Sequence, residues 1–204
     1  MTKLYLISPS CLNINEFAIL LEEVLSTGLA TCFQLRLKNI KDQEIINISK
    51  VLKPICKKND VSFILNDRLD LANIVGADGV HLGEGDGSIL DARKLLGPKA
   101  IIGVSCYNSK HLAMEAAEKG ADYVAFGAFF ETKTKKAKTK AKISIIEDWV
   151  FISDVPCVAI GGINPSNCHE LVEAGADFIA VVGSIWNNSD SPRNAIKNFK
   201  SIIV

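Results

Sequence analysis

The sequence predicts a single domain spanning residues 1–204 and folded as a (β/α)8 TIM barrel, on three observations. Short apolar runs alternate with longer amphipathic segments along the chain. The runs are rich in Val, Ile and Phe with little polar alternation, which suits parallel strands buried on both faces. A Gly-Ala-Asp junction occurs three times, as Gly76-Ala77-Asp78, Gly120-Ala121-Asp122 and Gly175-Ala176-Asp177, and each copy leads into an apolar strand. The length agrees: 204 residues over eight units is about 25 per unit, near the floor for this barrel. An open doubly wound sheet is the competing arrangement. It is weakened because no Gly-x-Gly-x-x-Gly follows the first strand and no P-loop is present.

The elements follow in order. Strand one is predicted at 4–7. A helix over 15–25 follows, because Phe17, Leu20, Leu21, Val24 and Leu25 recur at spacings of three and four. Strand two at 32–35 leads to a helix over 42–56, carried by Ile45, Ile46, Ile48, Val51, Leu52 and Ile55. Strands three and four are predicted at 62–65 and 79–82. The helix over 88–96 opens on Ser88, a good cap, and stops before Gly97-Pro98. Strand five at 101–104 precedes a helix over 109–119 that ends at Gly120. After strand six at 123–126 comes a lysine-rich loop at about 127–142, on the face where barrels keep their chemistry. Strand seven at 157–160 is followed by a helix over 165–174, with Asn164 as cap and Pro165 in the first turn. Strand eight at 178–182 and a closing helix at about 192–203 complete the chain.

Composition narrows the function classes. The chain is 48% hydrophobic and 23% charged, enough apolar material for a real core. Its 23 Lys+Arg balance 23 Asp+Glu, which argues against a general nucleic-acid binder. No apolar run reaches the roughly 18 residues of a membrane span. The six cysteines are scattered without a C-x-x-C pair, so free, mostly buried thiols in a cytoplasmic protein are expected. The residues leave homo-oligomerisation open.

In such barrels the chemistry sits at the C-terminal ends of the strands. Strand two ends in Gln34-Leu35-Arg36-Leu37-Lys38, and alternation points Gln34, Arg36 and Lys38 the same way. Asn66 and Asp67 follow strand three, and Asp86 follows strand four. Asp67 and Asp86 are hard oxygen ligands suited to Mg²⁺, which takes one or two carboxylates and leaves room for substrate phosphates. Arg36, Lys38 and Lys135 supply cations for phosphate oxygens. Gly161-Gly162 and Gly183-Ser184 follow strands seven and eight, where barrels often bind a monophosphate. The rim therefore predicts a metal-bound diphosphate on the side of strands two to four and a monophosphate on the side of strands seven and eight.

Taken singly, many of these residues have a plainer reading. An Asp after a strand is more often a helix cap than a ligand, and Asp70 reads as structural. Ser105 alone is a turn serine, and Gly-Gly can be only a turn. His81 lies on an apolar run and reads as packed and hydrogen-bonded, while His111 and His169 read as helix surface. Most of the lysines between 133 and 142 read as a solvated loop, with Lys135 the best candidate for phosphate contact. The combination outweighs its members, because every strand end on this side is polar.

The residues also resemble a known family. Gln34-Leu35-Arg36-Leu37-Lys38, Asn66-Asp67-Arg68, His81-Leu82-Gly83-Glu84-Gly85-Asp86, Gly103-Val104-Ser105, Thr132-Lys133-Thr134-Lys135 and Ile160-Gly161-Gly162 resemble the motifs of thiamine-phosphate synthases, in the family's order and over nearly the whole chain. The resemblance implies a transferase. It would join 4-amino-2-methyl-5-pyrimidinylmethyl diphosphate to a thiazole phosphate, or its carboxylated form, and release pyrophosphate. It implies that Gln34, Arg36, Lys38, Asn66 and Lys135 bind the pyrimidine diphosphate and that Asp67 and Asp86 hold Mg²⁺. Ser105 would face the pyrimidine end or its leaving group. Thr132, Thr134, Gly162, Val182 and Gly183 would bind the thiazole phosphate. Catalysis would rest on Arg36, Lys38, Ser105 and Lys135, with no enzyme nucleophile. The chain departs from the family at Ala128 and Glu131, where prolines are common, and at Gly183, where serine is common. Two rivals share the scaffold, a thiazole tautomerase-like isomerase and a non-catalytic phosphate-ligand binder. The related tautomerases use a histidine shortly after strand five, where this chain has Tyr107, and the Asp67/Asp86 pair favours the synthase over both rivals.

Overall fold

The computed structural model describes residues 1–132 and 139–203. Eight parallel strands close into a barrel in sequence order: β1 (Lys3–Ile7), β2 (Ala30–Leu35), β3 (Ser62–Asn66), β4 (Gly79–Leu82), β5 (Ile101–Tyr107), β6 (Tyr123–Gly127), β7 (Cys157–Ile160) and β8 (Phe178–Val181). Around them lie α1 (Ile14–Leu25), α2 (Asp42–Lys58), α3 (Leu69–Val75), α4 (Ile89–Leu96), α5 (Lys110–Glu118), α6 (Ser144–Ile152), α7 (His169–Glu173), α8 (Gly183–Trp186) and α9 (Pro192–Lys197). The expected barrel is the observed fold.

Strand pleat divides the core into two shells. Residues of one parity face the helices, where Phe33, Phe63, Phe126, Leu21, Leu52 and Trp149 pack. Residues of the other parity point inward and form a smaller core of Tyr5, Ile7, Cys32, Ile64, Tyr123, Ala125, Val158 and Ala180. Continuing that inward parity along β2 leads to Gln34 and, past the end of the strand, to Arg36, which is how the sequence delivers polar groups to the rim.

The Gly-Ala-Asp junctions sit at the opposite end of the barrel. Gly76, Gly120 and Gly175 adopt φ of 59°, 88° and 94°, a region open mainly to glycine. Each following aspartate accepts a backbone N–H from the strand before it. Asp78 takes Phe63 N at 2.7 Å, Asp122 takes Ile102 N at 2.7 Å and Asp177 takes Cys157 N at 2.8 Å. Each carboxylate thus fastens an odd-numbered strand to the even-numbered strand that follows.

Several boundaries differ from expectation. The helix predicted at 165–174 is shortened to His169–Glu173. Asn164 Oδ1 accepts from both the N–H and the hydroxyl of Ser166, and Asn167 Oδ1 accepts from Asn164 N. These local bonds hold a turn in place of the first helical turn. The closing helix stops at Lys197 and continues as turns. β5 runs three residues beyond its predicted end, with a register shift between Ser105 and Tyr107. α3, α6 and α8 were not placed from the sequence. α3 and α8 have seven and four residues and none of the three has a side-chain cap, so they carry little periodicity or punctuation.

Candidate active site

Two adjoining cavities open at the C-terminal ends of the strands. One, of about 280 Å³, lies over β2 to β5 and is lined by Gln34, Arg36, Lys38, Asn66, Asp67, His81, Asp86 and Ser105. The other, of about 490 Å³, lies over β6 to β8 and is lined by Thr132, Ile160, Gly161, Gly162, Asn164, Val182, Gly183, Ser184 and Asn187, among others. They share a wall that includes Ile7, Arg36, Ser105, Tyr107 and Ala125. Of the residues singled out from the sequence, Gln34, Arg36, Lys38, Asn66, Asp67, Asp86 and Ser105 meet at the smaller cavity. Thr132, Gly162, Val182 and Gly183 meet at the larger one, and Arg36 and Ser105 belong to both. Thr134 and Lys135, and most of the predicted lysine-rich loop, lie outside the described residues.

Asp67 is held in the left-handed region at φ 62°, an uncommon conformation for a residue with a side chain. Its N–H donates to His81 O at 2.8 Å, and Arg68 N–H turns back to Asn66 O at 2.7 Å. The chain therefore bends sharply as β3 ends. Arg68 faces away from the cavities and pairs with Asp42 and Asp70 at 2.7 and 2.6 Å, joining the starts of α2 and α3. That pairing confirms Asp70 as structural. Asp86 Oδ2 accepts Gly83 N–H at 2.9 Å, which orients its carboxylate toward Asp67.

Asp67 lies within hydrogen-bond reach of Asp86. Burial, then the hydrogen bond and charge of Asp86, push the Asp67 carboxyl above its ordinary value, while Arg36 and Lys38 oppose the rise. A half-buried pair of carboxylates in such a place calls for a proton or a cation. Among the described residues no third acidic, His or Cys side chain joins them to complete a protein-only cage. Two carboxylates with open cavity beside them fit Mg²⁺, which keeps waters and takes phosphate oxygens. Burial pulls the Arg36 guanidinium below its ordinary value, with the Asp67 charge opposing. Ser8 supports the arginine from below, its Oγ accepting Arg36 N–H at 2.9 Å.

The larger cavity is shaped by two glycines that tolerate nothing else. A Cβ at Gly161 would lie 2.3 Å from Ala128 Cβ, and one at Gly162 would lie 2.2 Å from Glu131 O. The loop after β6 runs directly over them, with Phe130 N–H on Gly161 O at 3.0 Å. Glu131, one of the family departures, is exposed and also lines this cavity. After β8 the chain enters α8, four residues long, the short extra helix on which barrels place a phosphate. Among the described residues Ser184 Oγ, buried in that wall, has no hydrogen-bond partner. Space beside Gly183 is approached by Asn187 Nδ2, 3.5 Å from an ideal Cβ there.

Sequence reasoning reached Ser184 only as part of the Gly183-Ser184 strand end, and it missed Ser8 and Asn187. A lone serine or asparagine has no signature until the fold places it. It also missed the buried set Tyr5, Tyr123 and His81, whose hydroxyls and ring nitrogens bond one another at the floor of the smaller cavity. Period-2 inward parity along β1, β4 and β6 could have flagged these three polar groups aimed at the barrel axis. His81 is indeed packed and hydrogen-bonded, and His111 and His169 are exposed.

Fold and site together define a phosphate-handling (β/α)8 enzyme, with a cationic, carboxylate-bearing cavity beside a mostly apolar one. The sequence profile described as thiamine monophosphate synthase matches residues 4–185. A thiamine-phosphate synthase of Rhodospirillum centenum is 49% identical over 98% of this chain and 97% of the relative. One of Erythrobacter litoralis is 48% identical over 97% and 93%. The solved structure of a thiamine phosphate pyrophosphorylase from Pyrococcus furiosus superposes with a TM-score of 0.85 at 35% identity, covering 98% of this chain and 95% of that one. The chain belongs to the thiamine monophosphate synthase family, and its activity is that family's synthase reaction, a transferase reaction.

Proposed function

We propose that the chain joins 4-amino-2-methyl-5-pyrimidinylmethyl diphosphate to a thiazole monophosphate, giving thiamine phosphate and pyrophosphate, or to its carboxylated form, giving the same products and CO2. The observation that carries this reading is the pair of cavities meeting at Arg36 and Ser105. A diphosphate needs the cationic cavity and an apolar ring with one phosphate suits the other, so the exchanged bond falls where the two meet.

Arg36 and Lys38 hold the diphosphate oxygens and counter the charge that grows as it departs. Asp67 and Asp86 would hold Mg²⁺, which supplies Lewis-acid neutralisation of the same oxygens. Gln34 and Asn66 present amides to the pyrimidine half. Ser105 stands at the breaking bond. Gly162, Val182, Gly183, Ser184 and Thr132 anchor the thiazole phosphate and so aim the ring nitrogen at the pyrimidine methylene carbon. Thr134 and Lys135 join these two phosphate sites in this reading. The methylene–oxygen bond breaks, its electron pair leaves with pyrophosphate, and the nitrogen lone pair forms the new bond. No side chain has to act as nucleophile. Burial pushes the Cys106 thiol, beside this rim, up to about 12, far from the thiolate a nucleophile needs. Five of the six free thiols are buried, which suits a reducing cytoplasm, and among the described residues no helix is long and apolar enough to cross a membrane.

The test mixes both substrates with purified protein and Mg²⁺ and measures pyrophosphate and thiamine phosphate in equal amounts. Folded protein that yields neither product overturns the reading.

A further inference from the structure

Five polar side chains cross the barrel interior in one hydrogen-bonded line. Gln34 Nε2 donates to Tyr5 Oη at 2.9 Å. Tyr5 Oη meets Tyr123 Oη at 2.8 Å, Tyr123 Oη meets His81 Nδ1 at 2.9 Å, and His81 Nε2 meets Ser105 Oγ at 2.8 Å. Gln34, Tyr5, Tyr123 and His81 are all buried, and only Ser105 reaches both cavities. The line has room because β5 carries Gly103, where any Cβ would lie 1.8 Å from Tyr123 Cζ. The Tyr123 and His81 rings also stack, centroids 5.6 Å apart and tilted by 21°.

One end of this line has a fixed direction. An amide nitrogen only gives protons, so Tyr5 Oη accepts from Gln34. Tyr5 must then place its own proton; the Cys32 thiol within its reach is a weak acceptor, so the proton goes to Tyr123 Oη at 2.8 Å. Tyr123, having accepted, donates to His81 Nδ1. A bare Nδ1 leaves the ring proton on Nε2, which donates to Ser105 Oγ. Among the described residues Ser105 Oγ has no other hydrogen-bond partner, so its hydroxyl proton is left for the cavity. We propose that this line is polarised from Gln34 to Ser105 and that His81 is the positioning residue that turns the Ser105 proton toward the departing diphosphate oxygen. Burial keeps both tyrosines well above their ordinary values, so each retains the proton the line requires. Without the line, Ser105 could equally well accept, and an accepting hydroxyl repels an oxygen that is gaining charge.

This inference rests on the proposed synthesis for its consequence but not for its geometry, and two measurements separate them. Nitrogen-15 NMR of histidine-labelled, ligand-free protein is expected to show His81 with Nε2 protonated and Nδ1 bare. Tyr5→Phe is expected to mix the tautomers, because it removes the donor that commits Tyr123. An Nδ1-protonated ring in the wild type overturns the proposal whether or not the enzyme makes thiamine phosphate. In steady-state assays, His81→Ala is expected to lower kcat about tenfold with the diphosphate KM within about twofold, the size of one lost directed hydrogen bond. His81→Gln, whose Nε2 can reach Ser105, recovers most of that loss. In a Ser105→Ala background, His81→Ala costs less than about twofold more, because both act through one proton. Equal losses in the Gln and Ala variants, or fully additive losses in the double variant, overturn the proposal. If His81→Ala does not fold, the Gln variant and the NMR tautomer decide. Absence of any product from the wild type, with Nε2 protonated, would overturn the proposed function and leave the polarised line standing.

Discussion

Asp67 concentrates two costs in one residue, a left-handed backbone and a carboxylate pushed up by burial and by Asp86. Asparagine is better suited to that backbone and brings no charge. Asp67→Asn is therefore expected to lower Mg²⁺-dependent kcat/KM by about 10²-fold or more, while the melting temperature of the metal-free protein rises by about 2–4 °C. Calorimetry and a Mg²⁺ titration check both. The pH signs differ for stability and for metal binding. A carboxyl raised in the folded state favours the fold at low pH, and that contribution is lost as pH rises through the folded value. Protons and the proposed Mg²⁺ would compete for the same oxygens, so metal affinity is expected to weaken as pH falls, from a higher pH than an ordinary aspartate would give. The cysteines give a second residue-scale prediction. Burial pushes Cys56, Cys106 and Cys157 up to about 12, and Cys32 further. A thiol reagent at mild alkaline pH is expected to modify exposed Cys11 quickly, with the rest following only in denaturant. Rapid labelling at Cys106 would place a reactive thiol at the rim and argue against a nucleophile-free site.

At the scale of elements, the three Gly-Ala-Asp copies show how repetition in a chain becomes repetition in space. Each aspartate is largely exposed, yet one of its oxygens is spent on a strand N–H. Asp78→Ala leaves Phe63 N–H without that partner and is expected to cost about 1–2 kcal/mol, read as a melting temperature lower by about 3–6 °C with turnover unchanged. Asp78→Asn, which keeps an acceptor oxygen, should restore much of it. The sequence already carried this arrangement as a pattern, along with all eight strands, because buried parallel strands are short, apolar and punctuated. Elements with weaker local signals were not legible. α8 has only four residues, and Asn164 followed by Pro165 reads as a helix start until the Asn164 and Asn167 side chains are seen to hold a turn. The candidate site was legible where parity and chemistry coincide, as at Gln34, Arg36, Asp67 and Asp86. It was illegible where function depends on who meets whom across the barrel. His81 looks like core in its own strand, and only Tyr123 from β6 and Ser105 from β5 give it a direction.

Across the whole molecule, the two barrel ends divide the labour. The Gly-Ala-Asp fastenings sit at the N-terminal ends of the strands, and the cavities open at the C-terminal ends, so rim substitutions such as Lys38→Ala should alter turnover more than stability. The fastenings also partition the barrel into quarters, β3 with β4, β5 with β6 and β7 with β8. The first quarter lacks one. Where the motif's aspartate would precede β2 the chain has Gly28-Leu29-Ala30, and Ala30 offers no acceptor. The same quarter holds a register shift between Leu4 and Tyr5 and the buried Thr31 Oγ1, which has no hydrogen-bond partner among the described residues. Closure of a ring is only as durable as its least secured seam. In hydrogen exchange, amides along β1 and β2 are therefore expected to lose protection at lower free energy than those of β5 and β6, and uniform protection around the ring would count against it. Because Tyr5 and Gln34 both stand on those two strands, opening of this seam would also break the proposed line to Ser105, so slow breathing of the barrel and the readiness of its active site would become a single equilibrium.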